Sequence, residues 1–360
     1  MKKIFHHAAL IIAGILAGLL LSEATLTFLD VPRFYKSHTY PSQFSFNVEN
    51  GTLFYTNKPS SDIVFVYDGN PRGYFGKENE IVHSTNSWGF RGKEFSFNKT
   101  GAIRIAFLGD SFTFGEGVKY EDTYPEKTAE LLNRKYGAEN ISFESYNFGV
   151  GGYNAQQSLF LLENLVLKTS PDIIVLGYTL NDAEPELFYI NPAGSVSRRH
   201  RETGIHEGLS DQNPPESLPN LRTARAAWKI LKSSEISRQT ANYYGSLYEP
   251  DNPGWKAAEE SLKKLGGICE ENQVQCFVVI FPVLYQLNDN YPFKELHKLV
   301  GNEINAGNYT HLADLFPYLK GRKDTELWVH PTDQHPNEIV HKIAAEALAD
   351  AMASATRFEE

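Results

Sequence analysis

Apolar residues along this chain gather into short runs that end at glycine, asparagine or aspartate, and these runs alternate with stretches whose apolar positions recur three or four apart. The clearest run is Ile103, Ile105, Ala106, Phe107 and Leu108, which stops at Gly109 and opens a loop with further glycines at 115 and 117. Similar runs at 141–146, 173–182 (ending in Asn-Asp), 276–281 and 310–313 read as buried strands. Between them, Pro125 opens one helix. Leu159, Leu162, Leu165 and Val166 mark a second, and Trp255, Ala258, Leu262 and Leu265 a third within 255–268. Ile339, Ile343, Ala347 and Leu348 mark a last helix near the carboxyl end. Strands alternating with helices predict a parallel sheet covered by helices on both faces and joined by right-handed crossovers.

Two regions depart from that alternation. Residues 30–100 carry short aromatic runs at 52–55 and 63–67 between Asn, Gly, Pro and Ser, a pattern of short strands and turns. They predict a β-rich extension whose aromatics either pack on the main domain or line a carbohydrate groove. Residues 183–254 form an insertion, polar and proline-containing to 219 with a basic cluster Arg198-Arg199-His200-Arg201, then helical over 221–248. A segment this long, placed directly after Asn181, is expected beside the functional site as a lid or polymer-binding wall, or else as a solvated excursion. The basic cluster either binds anionic sugars or lipid headgroups or is simply solvated.

At the amino end, Lys2 and Lys3 precede an uncharged apolar stretch at 8–21, and apolar character resumes at Leu26, Phe28 and Leu29. As one helix, residues 8–29 would span about 33 Å, enough to cross a bilayer with Glu23 near the outer interface. The segment reads as an uncleaved signal anchor in the inner membrane. A removed signal peptide cut near Ser22-Glu23-Ala24 is the alternative. Either way the rest of the chain lies outside the cytoplasm, in a periplasm or at a cell surface. The expected organisation is 1–29 as signal anchor or signal peptide, 30–100 as the extension, and 101–360 as the main domain with its insertion at 183–254.

Four segments carry candidate chemistry. Gly109-Asp110-Ser111 presents a serine just past a strand end, where open α/β sheets place their ligands. Residues 146–152, YNFGVGG, offer glycines whose N–H groups can face a ligand closely. Residues 173–182, IIVLGYTLND, form a buried-strand run that ends in an asparagine amide able to donate to an oxyanion. Residues 333–337, DQHPN, place a histidine base beside a carboxylate, just before a helix. A serine hydroxyl needs a neutral imidazole to take its proton as it attacks a carbonyl, and a carboxylate holds the useful tautomer. Asp110 is expected to brace the serine loop rather than react.

In this order and spacing the four segments resemble the blocks of the SGNH/GDSL hydrolase family, over about residues 100–355. The resemblance implies a three-layer α/β/α, flavodoxin-like fold with about five parallel strands. It also implies Ser111 as nucleophile, His335 as general base, and an oxyanion hole of Ser111 N–H, Gly152 N–H and the Asn181 side chain. Gly151 competes with Gly152, because the adjacent glycines leave the register open. Many members carry the acid three residues before the histidine, but that position here is Thr332, and Asp333 lies two before. Asp333 is the expected third member; if it falls short, a Ser-His dyad or a backbone carbonyl would orient the ring. Neither a metal nor another cofactor is implied.

Composition narrows the partners. With 34 basic against 44 acidic residues the formal net charge is −10, which argues against nucleic acid. Cys269 and Cys276 are the only two cysteines: a disulfide in an oxidising compartment, or buried thiols. No Cys/His cluster suggests zinc, and the histidines other than His335 are expected on the surface or in capped turns. The chemistry expected is acyl transfer from an O-ester through an acyl-Ser111 intermediate. With water as acceptor the protein is an esterase removing acetyl groups from an extracytoplasmic carbohydrate. With a sugar hydroxyl it is an O-acetyltransferase of exopolysaccharide or cell-wall glycan. A lipase is a third enzymatic option, and a non-catalytic polysaccharide-binding or assembly protein is the contrasting class.

Overall fold

A computed structural model describes residues 2–31, 33, 35, 44–49, 52–99, 101–198 and 221–355. Helix α1 (Lys2–Phe28) is apolar and unburied, with a mean hydropathy of 2.2 over its candidate span, and is long and apolar enough to cross a membrane. The extension follows as two antiparallel hairpins, β1 (Phe44–Glu49) with β2 (Thr52–Asn57) and β3 (Asp62–Val66) with β4 (Glu80–Ser84). In β3 the side chains alternate, so Ile63 and Phe65 point inward.

The main sheet begins with β5 (Ile103–Gly109), followed by the short α2 (Ser111–Phe114) and α3 (Tyr124–Tyr136), which carries Pro in its first turn. Next come β6 (Phe143–Asn147), α4 (Ala155–Asn164) and β7 (Ile173–Tyr178). The insertion contributes a small hairpin, β8 (Phe188–Ile190) with β9 (Val196–Arg198), and the long α5 (Arg222–Leu247). Of its basic cluster only Arg198 lies within the described residues. The alternation resumes with α6 (Pro253–Glu271), β10 (Gln275–Ile280), α7 (Lys294–Ala306) and β11 (His311–Asp314). A turn of helix, α8 (Phe316–Leu319), leads to the hairpin β12 (Trp328–His330) and β13 (Asp333–Pro336) and to the final α9 (Glu338–Ala355).

The sheet is five-stranded and parallel, in the order β11-β10-β7-β5-β6. The expected doubly wound architecture is therefore present. Its order also positions the site. The chain leaves β5 for β6 on one side and returns past β5 to β7 on the other, which creates the switch point where such sheets bind ligands. The loops after β5, β6 and β7 thus meet at one edge. Helix α3 packs with α9, and α4 packs with α6.

Three expectations need correction. The buried stripe of α9 is Val340, Ala344, Leu348 and Met352, with Ile339 at the surface and Ile343 half-buried. Ala347 and Leu348, also read from the sequence, are buried, so the inward face differs from the sequence reading in the first half of the helix. Helix α4 ends at Asn164, before Leu165, and a tighter 3₁₀ turn (Val166–Thr169) completes the connection. Of the two readings of the extension's aromatics, packing holds for Tyr55, Tyr67, Phe75, Phe90 and Phe95, which are buried, while Phe46, Trp88 and Phe97 are exposed. Finally, His83, His297, His330 and His341 are interior residues with polar partners. Cys269 and Cys276 form a disulfide, with Cα atoms 6.1 Å apart.

The extension has its own small apolar core, in which Ile63, Phe65, Tyr67, Phe75 and Ile81 enclose Phe114 and Val118 of the serine loop and Val329 of β12. Its core is therefore built around the loop that carries Ser111.

Candidate active site

Ser111 is the first residue of α2, immediately after β5. Asp110 caps that helix, one carboxylate oxygen accepting from Phe112 N–H at 2.8 Å. Its other oxygen accepts from Thr179 Oγ1 at 3.0 Å and from Asn181 Nδ2 at 3.2 Å. Asp110 is thus the brace expected of it, tying the serine loop to the loop after β7. Burial pushes its carboxyl up, against the hydrogen bonds that favour the charged form. Asn147, at the end of β6, does similar work: its Nδ2 donates to Thr113 O and its Oδ1 accepts from Gly149 N–H.

The histidine comes from the far end of the chain. His335 Nε2 lies 2.9 Å from Ser111 Oγ, and Nδ1 lies 2.6 Å from Asp333 Oδ1. Asp333 reaches the ring from two residues away because the same Oδ1 accepts the His335 backbone N–H at 3.1 Å, the local turn that aspartate side chains favour. Thr332 turns the other way, with its Oγ1 2.8 Å from His330 Nδ1. Tyr67 of the extension donates to Asp333 Oδ2 at 2.8 Å.

A third carboxylate flanks the ring: Glu116 Oε1 is 3.8 Å from His335 Nδ1. Burial disfavours the imidazolium, but Glu116, Asp333 and Asp110 together outweigh it, Asp333 also through its direct hydrogen bond, and the group is raised to about 10. Glu116, Asp333 and His335 are close enough to share a cation, but each already serves the serine site.

The N–H groups of Ser111, Gly151 and Gly152 donate to no other described residue. Gly152 sits at φ +80°, and a Cβ there would fall 2.6 Å from Leu187, so glycine is needed. A Cβ at Gly151 would meet nothing closer than 3.9 Å. Of the adjacent pair, position 152 is the one that depends on lacking a side chain. Asn181 follows β7 in a 3₁₀ turn and gives one amide hydrogen to Asp110, which leaves the other unused by that bond. Every residue expected in the site therefore lies on the three loops at the switch point or in the β12–β13 hairpin that faces them.

A sequence profile of the GDSL-like Lipase/Acylhydrolase family matches residues 107–343. The chain belongs to that family. No curated protein matches it. Among solved structures, this GDSL-like chain is similar to a lipase from a goat rumen metagenome, with a TM-score of 0.43, 12% identity, and coverage of 72% of this chain and 100% of that one. It is also similar to an acetyl xylan esterase, with a TM-score of 0.39, 16% identity, and coverage of 71% and 100%. For a two-domain esterase active on acetylated mannans the TM-score is 0.42 at 15% identity, covering 71% of this chain and 50% of that one. As a GDSL-like acylhydrolase the protein is an ester-hydrolysing enzyme.

Several residues that shape this GDSL-like site escaped the sequence reading. Glu116 stood in a glycine-rich loop without a motif of its own. Tyr67, His83 and Arg91 belong to the extension, outside the family-matched segment. His83 Nε2 accepts from Gly117 N–H at 2.9 Å, and burial, with Arg91 nearby, holds its ring well below the usual range and neutral. Arg91, fully buried, donates to the carbonyls of Phe114, Gly115 and Val118.

Proposed function

We propose that the protein is a serine esterase that cleaves an O-acyl ester, an acetyl group on a carbohydrate, through an acyl-Ser111 intermediate. The observation that carries this reading is His335 bridging Ser111 Oγ at 2.9 Å and Asp333 Oδ1 at 2.6 Å. In the first half-reaction His335 Nε2 takes the hydroxyl proton as Oγ attacks the ester carbonyl, and Asp333 steadies the imidazolium. The tetrahedral oxyanion is held by Ser111 N–H, Gly152 N–H and the Asn181 amide. His335 returns the proton to the leaving alcohol. In the second half-reaction the base activates water, which releases the acid and regenerates Ser111.

Helix α1 acts in this reading as an uncleaved membrane anchor with the catalytic domain on the extracytoplasmic side. Its length, its apolar composition and the disulfide at Cys269–Cys276 support that side. Residues 30–100 are the extension and 101–360 the hydrolase domain with its insertion at 183–254.

The experiment is turnover of acetyl, butyryl and octanoyl nitrophenyl esters and of an acetylated polysaccharide, by wild type and by Ser111→Ala. Acetate release from the polysaccharide that depends on Ser111 is the expected result. Activity confined to octanoyl esters would sink the acetyl reading, and full activity in Ser111→Ala would sink the mechanism.

A further inference from the structure

Tyr67 precedes the family-matched segment, which begins at residue 107. Its ring is buried and stacked on Phe75, with centroids 4.4 Å apart and 4° between the planes. The stack fixes where the hydroxyl points, which is at Asp333 Oδ2, 2.8 Å away. Gly117 makes room for it: a Cβ there would lie 2.9 Å from the Tyr67 oxygen. The two oxygens of Asp333 are thus divided, Oδ1 holding His335 by its Nδ1 and backbone N–H and Oδ2 taking the tyrosine. A rigid donor on the second oxygen limits the swing of the carboxylate about its Cβ–Cγ bond.

We propose that Tyr67 is a positioning residue for the esterase reaction, acting through Asp333 on the orientation and charge of His335, so that the β-rich extension is a working part of the active site. The proposal rests on the triad reading above. Tyr67 meets the carboxylate oxygen that does not hold the imidazole, so its effect is expected in turnover rather than in substrate affinity. By sharing the carboxylate's charge, the phenol weakens the hold of Asp333 on the imidazolium. The other titratable groups around this pair are Glu116 and Asp110 beside His335, neutral His341 from α9, neutral His83 toward Asp333, and His330 of β12, which pairs with Asp333 across the hairpin and lies 5.2 Å from the Tyr67 ring.

The test uses the full chain in nanodiscs with nitrophenyl acetate. For Tyr67→Phe, kcat is expected to fall about tenfold with KM within about twofold, and the acid limb of kcat/KM to move up by roughly half a pH unit. In an Asp333→Asn background the same change is expected to cost less than about twofold, because its route is already cut. A 4-aminophenylalanine at position 67 keeps the ring and a donor that stays neutral over this pH range, and it is expected to bring kcat and the limb back toward wild type. An unmoved limb in Tyr67→Phe, a 4-aminophenylalanine variant no better than Tyr67→Phe, or a loss that adds in full to that of Asp333→Asn, overturns the proposal and leaves Tyr67 a packing residue. Wild-type kcat in Asp333→Asn alone would instead bring down the triad reading itself.

Discussion

His335 has carboxylates on more than one side, and that sets a sign for its behaviour with pH. Its imidazolium is raised to about 10, so the free base needed to accept the Ser111 proton accumulates only as pH rises. The acid limb of kcat/KM is therefore expected well above the ordinary histidine range, with activity still climbing past pH 8. Removing the Glu116 charge with Glu116→Gln should lower the limb and raise activity at pH 7; a limb that stays put in this variant would refute the role given to Glu116. Stability has the opposite slope. The ion-pair contribution of His335 is complete below the unfolded value near 6.5 and is lost as pH rises toward 10. Urea unfolding at pH 6 and pH 10 should show a larger drop for wild type than for His335→Ala. At the oxyanion, Asn181→Ala is expected to lower kcat by about 10²–10³, with a lower melting temperature as well, because buried Asp110 loses a donor.

At the scale of elements, the serine loop is held from outside its own domain. Arg91 gives its guanidinium to the carbonyls of Phe114, Gly115 and Val118, at the end of α2 and in the loop that follows it. Burial pulls that guanidinium down to about 10, against the opposing pull of Tyr74, Tyr120, Glu121 and Glu116. Arg91→Lys keeps the charge but cannot span all these carbonyls, and is expected to cost about 2–3 kcal/mol in urea unfolding. A loss under about half a kcal/mol would show the fork to be dispensable. The parts legible in the sequence were those with local periodicity or a local motif: β5 and β7, α6 with its stripe of Trp255, Ala258, Leu262 and Leu265, and the loops holding Ser111, Asn181 and His335. What stayed hidden depends on pairings distant in sequence. Tyr67 meets Asp333 across 266 residues and His83 meets Gly117 across 34, and no pattern near either end announces the partner. The first half of the α9 stripe was misread for a related reason, since a run of alanines leaves the inward direction to the packing partner.

For the molecule as a whole, the question is how α1 relates to the domain it would anchor. The carboxylate of Glu23 accepts the N–H groups of Arg222 and Thr223 at 2.7 and 2.9 Å and the Thr223 hydroxyl at 2.9 Å, while Asp30 pairs with Arg222. The end of α1 thus supplies the cap that the first turn of α5 lacks in its own sequence, because Leu221 at the N-cap position has no side-chain acceptor. The far end of α5 is secured differently, by Tyr244 and Tyr248 buried in the main core. Removing residues 1–29 should therefore release a soluble enzyme whose kcat on nitrophenyl acetate stays within about twofold of the full chain, since among the described residues the main packing partner of α1 is α5. The first turns of α5 should lose their protection against hydrogen exchange while the turns near Tyr244 keep theirs. The local substitution Glu23→Gln, in the full chain, is expected to reproduce part of that loss without detaching the protein from the membrane. Unchanged exchange at 222–226 in both variants would mean that α5 does not depend on α1. The anchor would then be a tether, with no part in shaping the insertion that follows Asn181.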